Sequence, residues 1–283
     1  MDGNELSFVF RRVHMVVLAQ HGMLRLGIIG GTGLVNMNLY ERFSEHGITV
    51  VSREVIETNT PYGSVPLTCI TLDAQGVEKE LIFLQRHHNA SGHGRPPHQI
   101  NHRANMRAMN DANLDGIMAV CSVGAIHASF PPGKVGLADQ YIDFTGVTAT
   151  FHDDESVFTS VTVPFDESMN GLLEVALRTS QDFNADERIR YTYWLTQGPQ
   201  FETKAEVDAI GLLGGDMVGM TMPREAKLAK ELSLPYAAVC ISSNWGAGRE
   251  PGDDTKDLDH EEVSAQANDR LEPIWACLLA LLS

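Results

Sequence analysis

The chain has little positive charge for its size, few cysteines and no long hydrophobic run. Its 283 residues carry 21 Lys and Arg against 37 Asp and Glu, so the formal net charge is −16 at pH 7. This negative excess argues against a broad surface for nucleic acid or for an anionic membrane. No apolar run reaches the roughly 18 residues that a membrane-spanning helix needs. A small anion could still bind where backbone amides and a few basic side chains outweigh the overall charge.

The four cysteines, Cys69, Cys121, Cys240 and Cys277, are far apart and form no C-x-x-C motif. Three of them lie in apolar runs, which is typical of buried free thiols in a reducing compartment. We therefore expect a cytoplasmic protein.

No Pro/Gly/Ser-rich linker, charge run or internal repeat divides the chain. Its 43% hydrophobic content is ample for one sizeable core. We expect a single domain over residues 24–283. Residues 1–23 contain Arg11-Arg12 before a short apolar stretch, which faintly resembles a signal peptide but lacks a clear cleavage site. We interpret them as an N-terminal extension.

Predicted strands alternate with predicted helices along the chain. The strands are expected at 24–29, 67–73, 77–84, 116–121, 134–142, 189–195, 216–220 and 236–242, and the helices at 99–113, 167–183, 203–213, 225–232 and 260–282. The alternation predicts an α/β domain whose central mixed, twisted β-sheet is flanked by helices. Ligands of such sheets bind at the carboxyl ends of strands.

The first predicted strand ends in a glycine-rich turn, Gly30-Gly31-Thr32-Gly33. It is not a dinucleotide fingerprint, because the third glycine would fall at Asn36, and no Gly-Lys-Ser/Thr follows to make a P-loop. Backbone amides and the Thr32 hydroxyl could hold an oxyanion here. A plain tight turn is an equal alternative.

Arg86 and His87 follow the strand at 77–84, and a guanidinium suits phosphate better than any other side chain does. For Arg86 alone, a surface salt bridge is the simpler explanation. The segment also contains five histidines: His87, His88, His93, His98 and His102. It holds no Cys, Asp or Glu and no H-E-x-x-H motif, so we expect no metal site. Its glycines and prolines favour a polar loop that covers substrate.

Three further polar residues stand at the edges of apolar segments. Thr221 precedes Met222-Pro223, where a helix is expected to begin, so its hydroxyl and amide would meet an anion at the positive end of the helix dipole. An ordinary N-cap is the alternative. Glu202 and Asn244 each follow an apolar segment, and a capping carboxylate and a turn asparagine are the alternatives.

Taken in order, these segments resemble the methylthioadenosine phosphorylase branch of the trimeric purine nucleoside phosphorylases, over about residues 24–282. The matching segments are Gly30-Gly31-Thr32-Gly33-Leu34, Thr60-Pro61-Tyr62-Gly63, Arg86-His87, 101–105, Gly124, 139–143, 198–203, Ala205-Glu206 and 218–221. The resemblance implies a purine nucleoside phosphorylase-like fold and cleavage of an N-glycosidic bond by inorganic phosphate, without a cofactor. It also implies a homotrimer or a dimer of trimers.

The resemblance also implies roles for individual residues. Phosphate would be held by Thr32, Arg86, His87, Cys121, Ser122 and Thr221. Family members often carry Thr-Ala where this chain has Cys121-Ser122, so one hydroxyl contact is in doubt. The nucleoside would contact Met220, Glu202, Asn244, Gly246 and His260, and Asn244, His87 and Arg86 would be catalytic. A strand at 162–164 would reach into the neighbouring subunit's site.

The base pocket departs from the adenine-directed members. They typically carry Asp where this chain has Asn244 and a small hydroxyl residue where it has Glu202, whereas the Glu and Asn pair resembles the 6-oxopurine phosphorylases. A carboxylate accepts from N1–H of a 6-oxopurine, while an amide donates to O6 and accepts from protonated N7.

We therefore expect S-methyl-5′-thioinosine to be the favoured substrate. The alternatives are methylthioadenosine, inosine or guanosine, a nucleosidase that uses water, and a nucleoside-binding protein that is not an enzyme. A histidine at His260 would suit a 5′-hydroxyl and an apolar residue a methylthio group, so the 5′ preference stays open.

Overall fold

The structure, a computed structural model, describes residues 22–31, 39–89, 94–258 and 271–283. These ranges contain nine strands and six α-helices. The strands are β1 (Arg25–Gly30), β2 (Ile48–Thr60), β3 (Gly63–Ala74), β4 (Val77–Gln85), β5 (Gly116–Ala125), β6 (Val135–Asp143), β7 (Arg190–Leu195), β8 (Met217–Gly219) and β9 (Tyr236–Trp245). The helices are α1 (Leu39–Glu45), α2 (His102–Asp111), α3 (Glu167–Ser180), α4 (Lys204–Leu212), α5 (Met222–Glu231) and α6 (Leu271–Leu282).

All nine strands belong to one mixed sheet in the order β2-β3-β4-β1-β5-β8-β7-β6-β9. Because β5 also pairs with β9, the strands β5, β8, β7, β6 and β9 close into a ring. Strands β4, β1, β5 and β9 run parallel to one another, so their carboxyl ends share one edge of the sheet. The predicted α/β fold with a central mixed sheet is confirmed.

Strand β5 is the centre of the sheet and shows why the two faces form. Its side chains alternate between two hydrophobic clusters: Ile117, Ala119, Cys121 and Val123 pack with α2 and α5, whereas Met118 and Val120 pack with α3 and α6. Both sides of β5 are therefore covered, which explains its nearly continuous apolar sequence.

Strand β8 runs antiparallel to β5, with Val218 opposite Gly124 and Met217 opposite Ala125. The chain that leaves β8 therefore turns back alongside the last residues of β5 before α5 begins. This reversal takes Thr221 towards the position of Cys121 and Ser122.

Several predicted elements differ from the observed ones. Strand β2 was not predicted, because most of its side chains are exposed and show no regular alternation. Helix α5 begins at Met222 rather than at 225. Residues 162–164 form a bend and irregular chain before α3, so the strand expected there is wrong. The predicted helix at 260–282 is seen as α6, and its first residues lie outside the described ranges. None of the described helices is long and apolar enough to cross a membrane.

Candidate active site

Arg86 lies at the shared edge, directly after β4, and its amide donates to the Gly30 carbonyl of β1 at 3.0 Å. The guanidinium is only 4% exposed. Its Nε and Nη2 grip the Glu225 carboxylate of α5, with Nη2 3.0 Å from Oε2. Nη1 donates to the Val120 carbonyl at 3.0 Å, and Nη2 lies 3.5 Å from the Cys121 sulfur. Arg86 therefore ties β4 to β5 and to α5.

The Arg86–Glu225 pair is a buried ion pair, with side-chain exposures of 4% and 1%. Burial alone would lower the pKa of Arg86, but the Glu225 carboxylate offsets this and holds the pKa well above its usual value. Burial likewise opposes ionisation of Glu225, yet Arg86 keeps the pKa of that carboxyl below its usual value. The forked edge expected to face phosphate is thus turned to Glu225. Of five N–H donors, four are directed at described partners, so one on Nη1 remains.

Thr221 occupies the N-cap position of α5, but its side chain makes no capping hydrogen bond. It is 9% exposed, and its amide lies 3.5 Å from the Tyr193 hydroxyl. The ordinary N-cap alternative is therefore wrong for this hydroxyl. Because Glu225 lies one turn further along α5, Thr221 also lies within a helical turn of the Arg86 contact. A hydroxyl that is not used as a cap, at the positive end of a helix, suits an anion.

Cys121 and Ser122 project from β5 in opposite directions. Cys121 is 3% exposed and lies opposite Cys240 of β9 in the strand register. A hydrogen bond from Cys240 lowers the pKa of the Cys121 thiol, burial opposes that shift, and Arg86 adds to it. Ser122 is exposed and donates to Ser243 Oγ at 2.8 Å. Of the two, Ser122 has the exposed side chain.

Two adjacent histidines of the loop, His87 and His88, have separate partners. His87 Nδ1 lies 2.7 Å from the Arg95 carbonyl, so Nδ1 carries a proton and donates. His88 Nε2 lies 2.8 Å from Asn105 Oδ1. Within the described ranges, no group of three or more His, Cys, Asp or Glu could hold a metal ion. His93 and the predicted phosphate ligand Thr32 lie outside these ranges.

Asn244, near the end of β9, is half-buried and belongs to a short hydrogen-bond chain. Ser122 donates to Ser243, and Ser243 Oγ donates to Asn244 Oδ1 at 2.9 Å. The Asn244 Nδ2 donates to the Trp245 carbonyl at 2.8 Å. Because that carbonyl can only accept, it fixes the orientation of the amide.

Gly246 follows immediately and donates its amide to the Ala125 carbonyl at 2.7 Å. A Cβ at Gly246 would lie 3.3 Å from that carbonyl oxygen and from Val207 of α4. The absence of a side chain therefore lets this backbone pack closely between β5 and α4, beside Asn244.

Glu202 lies in the segment between β7 and α4. Its Oε1 accepts from the Thr196 hydroxyl at 2.7 Å, and the Thr196 amide donates to Gly219 of β8 at 2.9 Å. Burial raises the pKa of Glu202, and the Thr196 hydrogen bond opposes that shift only in part. Met220 packs over Gly198, where a Cβ would come 2.6 Å from the Met220 sulfur. Glu202 and Met220 are thus both positioned from the end of β8.

The structure therefore brings most predicted site residues to neighbouring strand ends. Arg86 contacts both Glu225 and Cys121, and Thr221 precedes Glu225 by one turn of α5. Asn244 and Ser122 share one hydrogen-bond chain, and Gly124 of β5 pairs with both Val218 of β8 and Asn244 of β9. Predicted 5′ contact His260 lies outside the described ranges.

Three polar residues of the buried interior had no predicted role in the site: Glu225 and Tyr236, and also His102, which was considered only as one of the loop histidines. The Tyr236 hydroxyl donates to Glu225 Oε2 at 2.9 Å. His102 is 7% exposed, its Nδ1 is 3.9 Å from Glu225 Oε1, and neither ring nitrogen has a hydrogen-bond partner among the described residues. Burial lowers the pKa of His102 to about 4. The available signal was a charged residue on the apolar face of α5, which the expected helix start at 225 concealed.

The chain is similar to known nucleoside phosphorylases over most of its length. The chain is 35% identical over 269 residues to a 6-oxopurine nucleoside phosphorylase from Pyrococcus furiosus, with 92% of each chain covered. It is 33% identical over 255 residues to a probable S-methyl-5′-thioinosine phosphorylase from Methanothermobacter thermautotrophicus, covering 89% of this chain and 83% of that protein.

Two solved structures share the fold. A methylthioadenosine phosphorylase from an antarctic soil metagenomic library has a TM-score of 0.72 and 25% identity, with 90% of this chain and 85% of the other covered. The methylthioadenosine phosphorylase of Schistosoma mansoni in complex with adenine has a TM-score of 0.76 and 24% identity, with 92% and 91% covered. The family model described as the phosphorylase superfamily matches residues 25–283, and the chain therefore belongs to that superfamily.

Proposed function

We propose that this enzyme cleaves purine nucleosides with inorganic phosphate, releasing the free base and a pentose 1-phosphate, and that it prefers a 6-oxopurine base. S-methyl-5′-thioinosine is the favoured substrate, ahead of methylthioadenosine, and 5-methylthioribose 1-phosphate is then the sugar product. The observation that carries this proposal is the hydrogen-bonding state of Asn244.

The Asn244 amide has two donors and two acceptor lone pairs. One donor goes to the Trp245 carbonyl and one lone pair receives the Ser243 hydroxyl. One N–H and one lone pair have no partner among the residues that the structure describes. Purine O6 needs a donor, and N7, once protonated on departure, needs an acceptor. The remaining capacity of Asn244 therefore matches a 6-oxopurine as it leaves.

Glu202 supports the same base. Its carboxylate receives one hydrogen bond from Thr196 and keeps acceptor capacity for N1–H of a 6-oxopurine. Adenine N1 carries no proton and would place an acceptor against a carboxylate that is already poorly solvated. A mismatch of this kind at a buried polar site can discriminate by about 10⁴-fold.

Phosphate attacks C1′ as the base departs, and the ribosyl group gains oxocarbenium character. Thr221 at the α5 N-terminus, His87, Ser122, Thr32 and the remaining Arg86 donor hold the phosphate. Catalysis then rests on placement and on stabilisation of charge, including the charge that Asn244 meets on the departing base. The proposed reaction needs no cofactor, because inorganic phosphate is its second substrate.

We also propose a homotrimer as the working form. The segment between β6 and α3 exposes Phe144 to 75% and Phe158 to 95%, and exposed aromatic side chains of this size favour burial against another subunit. The family match over residues 25–283 supports residues 24–283 as the catalytic domain.

The test is a kcat/KM panel of inosine, adenosine and their 5′-methylthio analogues, measured with and without phosphate. The proposal expects base release only with phosphate, and a higher value for each 6-oxopurine than for its 6-amino counterpart. Release without phosphate would mean a nucleosidase. Binding without release would mean a nucleoside-binding protein, and a preference for methylthioadenosine would mean a methylthioadenosine phosphorylase.

Asn244→Asp tests the base-reading step separately. The carboxylate has no N–H for O6 but can accept from the amino group of adenine. We expect the ratio of kcat/KM for methylthioinosine over methylthioadenosine to fall by about 10- to 100-fold, the equivalent of one lost buried hydrogen bond. Asn184→Asp makes the same chemical change at an exposed turn and should leave the ratio unchanged. An unchanged ratio in Asn244→Asp would show that this residue does not read the base.

A further inference from the structure

His102 is a buried polar side chain next to the phosphate side of the site. Its ring is 7% exposed, with both nitrogens unpartnered among the described residues. An unsatisfied buried polar group is costly unless it acquires a partner in some state of the protein. The nearest charged oxygen is Glu225 Oε1, 3.9 Å from Nδ1.

Glu225 lies at the centre of a buried polar cluster that also contains Arg86, Tyr236 and His102. One oxygen, Oε1, faces Arg86 Nε and has His102 beyond hydrogen-bond range. The other, Oε2, accepts from Arg86 Nη2 at 3.0 Å and from the Tyr236 hydroxyl at 2.9 Å. Arg86 thus donates to both carboxylate oxygens, and Tyr236 is a second donor to Oε2. His102 is close enough to Oε1 to become a donor after a small shift.

The ion pair between Arg86 and Glu225 sets a condition on phosphate binding. Arg86 has one N–H, on Nη1, that is not directed at a described partner, whereas its paired donors Nε and Nη2 both face Glu225. A phosphate that is to receive that paired contact must draw the guanidinium away from Glu225. Glu225 is 1% exposed and cannot be left without donors there, because an unpaired buried carboxylate is strongly destabilising.

We propose, on the basis of the phosphorolytic function above, that His102 and Tyr236 are positioning residues of the phosphate subsite. They hold Glu225 by hydrogen bonds when Arg86 turns its paired donors Nε and Nη2 towards phosphate. A shift of about 1 Å would close the 3.9 Å gap between His102 Nδ1 and Glu225 Oε1 to hydrogen-bond length. The Tyr236 hydroxyl already bonds the other oxygen. Neither residue touches phosphate; they act through Glu225 on Arg86.

A neutral ring suits this role, since one protonated nitrogen is enough to donate. Burial is the main reason that the pKa of His102 is lowered, and Arg224, Arg86 and His87 add to it, while the Glu225 carboxylate opposes the shift only in part. The ring therefore donates without placing a second cation against the guanidinium that has to move.

The experiment compares His102→Phe, which keeps the bulk and removes the donor, with His102→Asn, whose amide reaches the position of Nδ1. Phosphate KM and nucleoside KM are measured separately in each variant. We expect His102→Phe to raise phosphate KM by about 10-fold with nucleoside KM within about twofold of wild type, and His102→Asn to restore phosphate KM largely. Tyr236→Phe should raise phosphate KM in the same selective way.

Asn170→Leu is the matched control. Asn170 on α3 is 0% exposed and unpartnered among the described residues, like His102, but its helix packs its apolar side chains into the cluster on the other face of the sheet. It should leave phosphate KM unchanged. If wild type shows no phosphate-dependent cleavage, the proposed function itself fails. If wild type is active and His102→Phe leaves phosphate KM unchanged, or raises both KM values equally, the positioning role is wrong.

Discussion

Replacement of Glu225 by Gln tests whether phosphate binds beside Arg86. The change keeps the size of the side chain and its acceptor for Tyr236, but removes the only carboxylate in contact with the buried guanidinium among the described residues. Arg86 cannot lose its proton, so it stays buried as a cation with only neutral partners among the described residues: the Val120 carbonyl, the Cys121 thiol and the amide oxygen of the new Gln.

The magnitude follows from the burial of the pair. With exposures of 4% and 1%, removal of one partner should lower the free energy of unfolding by about 3–5 kcal/mol. Phosphate stabilises any folded state that binds it, by about 2.7 kcal/mol at 100 times its Kd. In Glu225→Gln, phosphate also becomes the only anion beside Arg86. Phosphate should therefore stabilise the variant more than wild type. The difference between their free energies of unfolding should shrink by about 1 kcal/mol or more.

The assay is equilibrium urea unfolding at one fixed protein concentration, with phosphate or with chloride at matched ionic strength. Asp216→Asn provides the control, because Asp216 is 6% exposed and forms a forked pair with Arg188 at the opposite end of β8 from α5. Phosphate should leave the difference in free energy of unfolding between wild type and Asp216→Asn unchanged. If phosphate stabilises Glu225→Gln no more than it stabilises wild type, the anion does not lie against Arg86.

Two further predictions concern single side chains. Thr221→Ala should raise phosphate KM by about 10-fold, as expected for one lost hydrogen bond to an anion, with nucleoside KM within about twofold of wild type; equal rises in both would count against its role. For Glu202, burial holds the folded-state pKa above the ordinary value. The kcat/KM for inosine should therefore fall as pH drops through that raised pKa, and Glu202→Gln should abolish this acid limb and lower activity at neutral pH. Because the folded state binds this proton more tightly than the unfolded state does, wild type should lose stability relative to Glu202→Gln as pH rises from the ordinary to the raised pKa. Urea unfolding across pH checks the sign, and a gain in wild type over that interval would contradict it.

Much of the fold was predictable from local pattern. Apolar runs bounded by turn residues located every strand except β2, and they also located the β3–β4 hairpin. A strand that is buried on both faces leaves a continuous apolar signature. Thr203 and Glu206 form a capping box at the start of α4, a signal that depends on four consecutive residues. Strand β2 escaped detection because its exposed side chains leave no such signature.

The contacts that organise the candidate site are not local. Arg86 and Glu225 are 139 residues apart in sequence, and Cys121 meets Cys240 through the pairing of β5 with β9. Sequence pattern identified Arg86 as a lone basic residue at a strand end. The position of its partner, Glu225, depends on the antiparallel direction of β8, which turns the chain back so that α5 begins near that edge. Neither helical periodicity nor strand periodicity contains this information.

The buried ion pair also explains how an acidic chain can bind an anion without a basic surface. Because Glu225 neutralises Arg86 in the interior, the site does not present a fixed positive charge to solvent. Under the function and the positioning role proposed above, its attraction for phosphate would come from groups that are already oriented: the α5 N-terminus at Thr221, the Ser122 hydroxyl, and the Arg86 guanidinium once other donors hold Glu225. Such oriented dipoles need little reorganisation when charge develops, which is the condition that transition-state stabilisation requires. The net charge of −16 and a phosphate site are therefore compatible, since the first is set by the surface and the second by a few buried contacts.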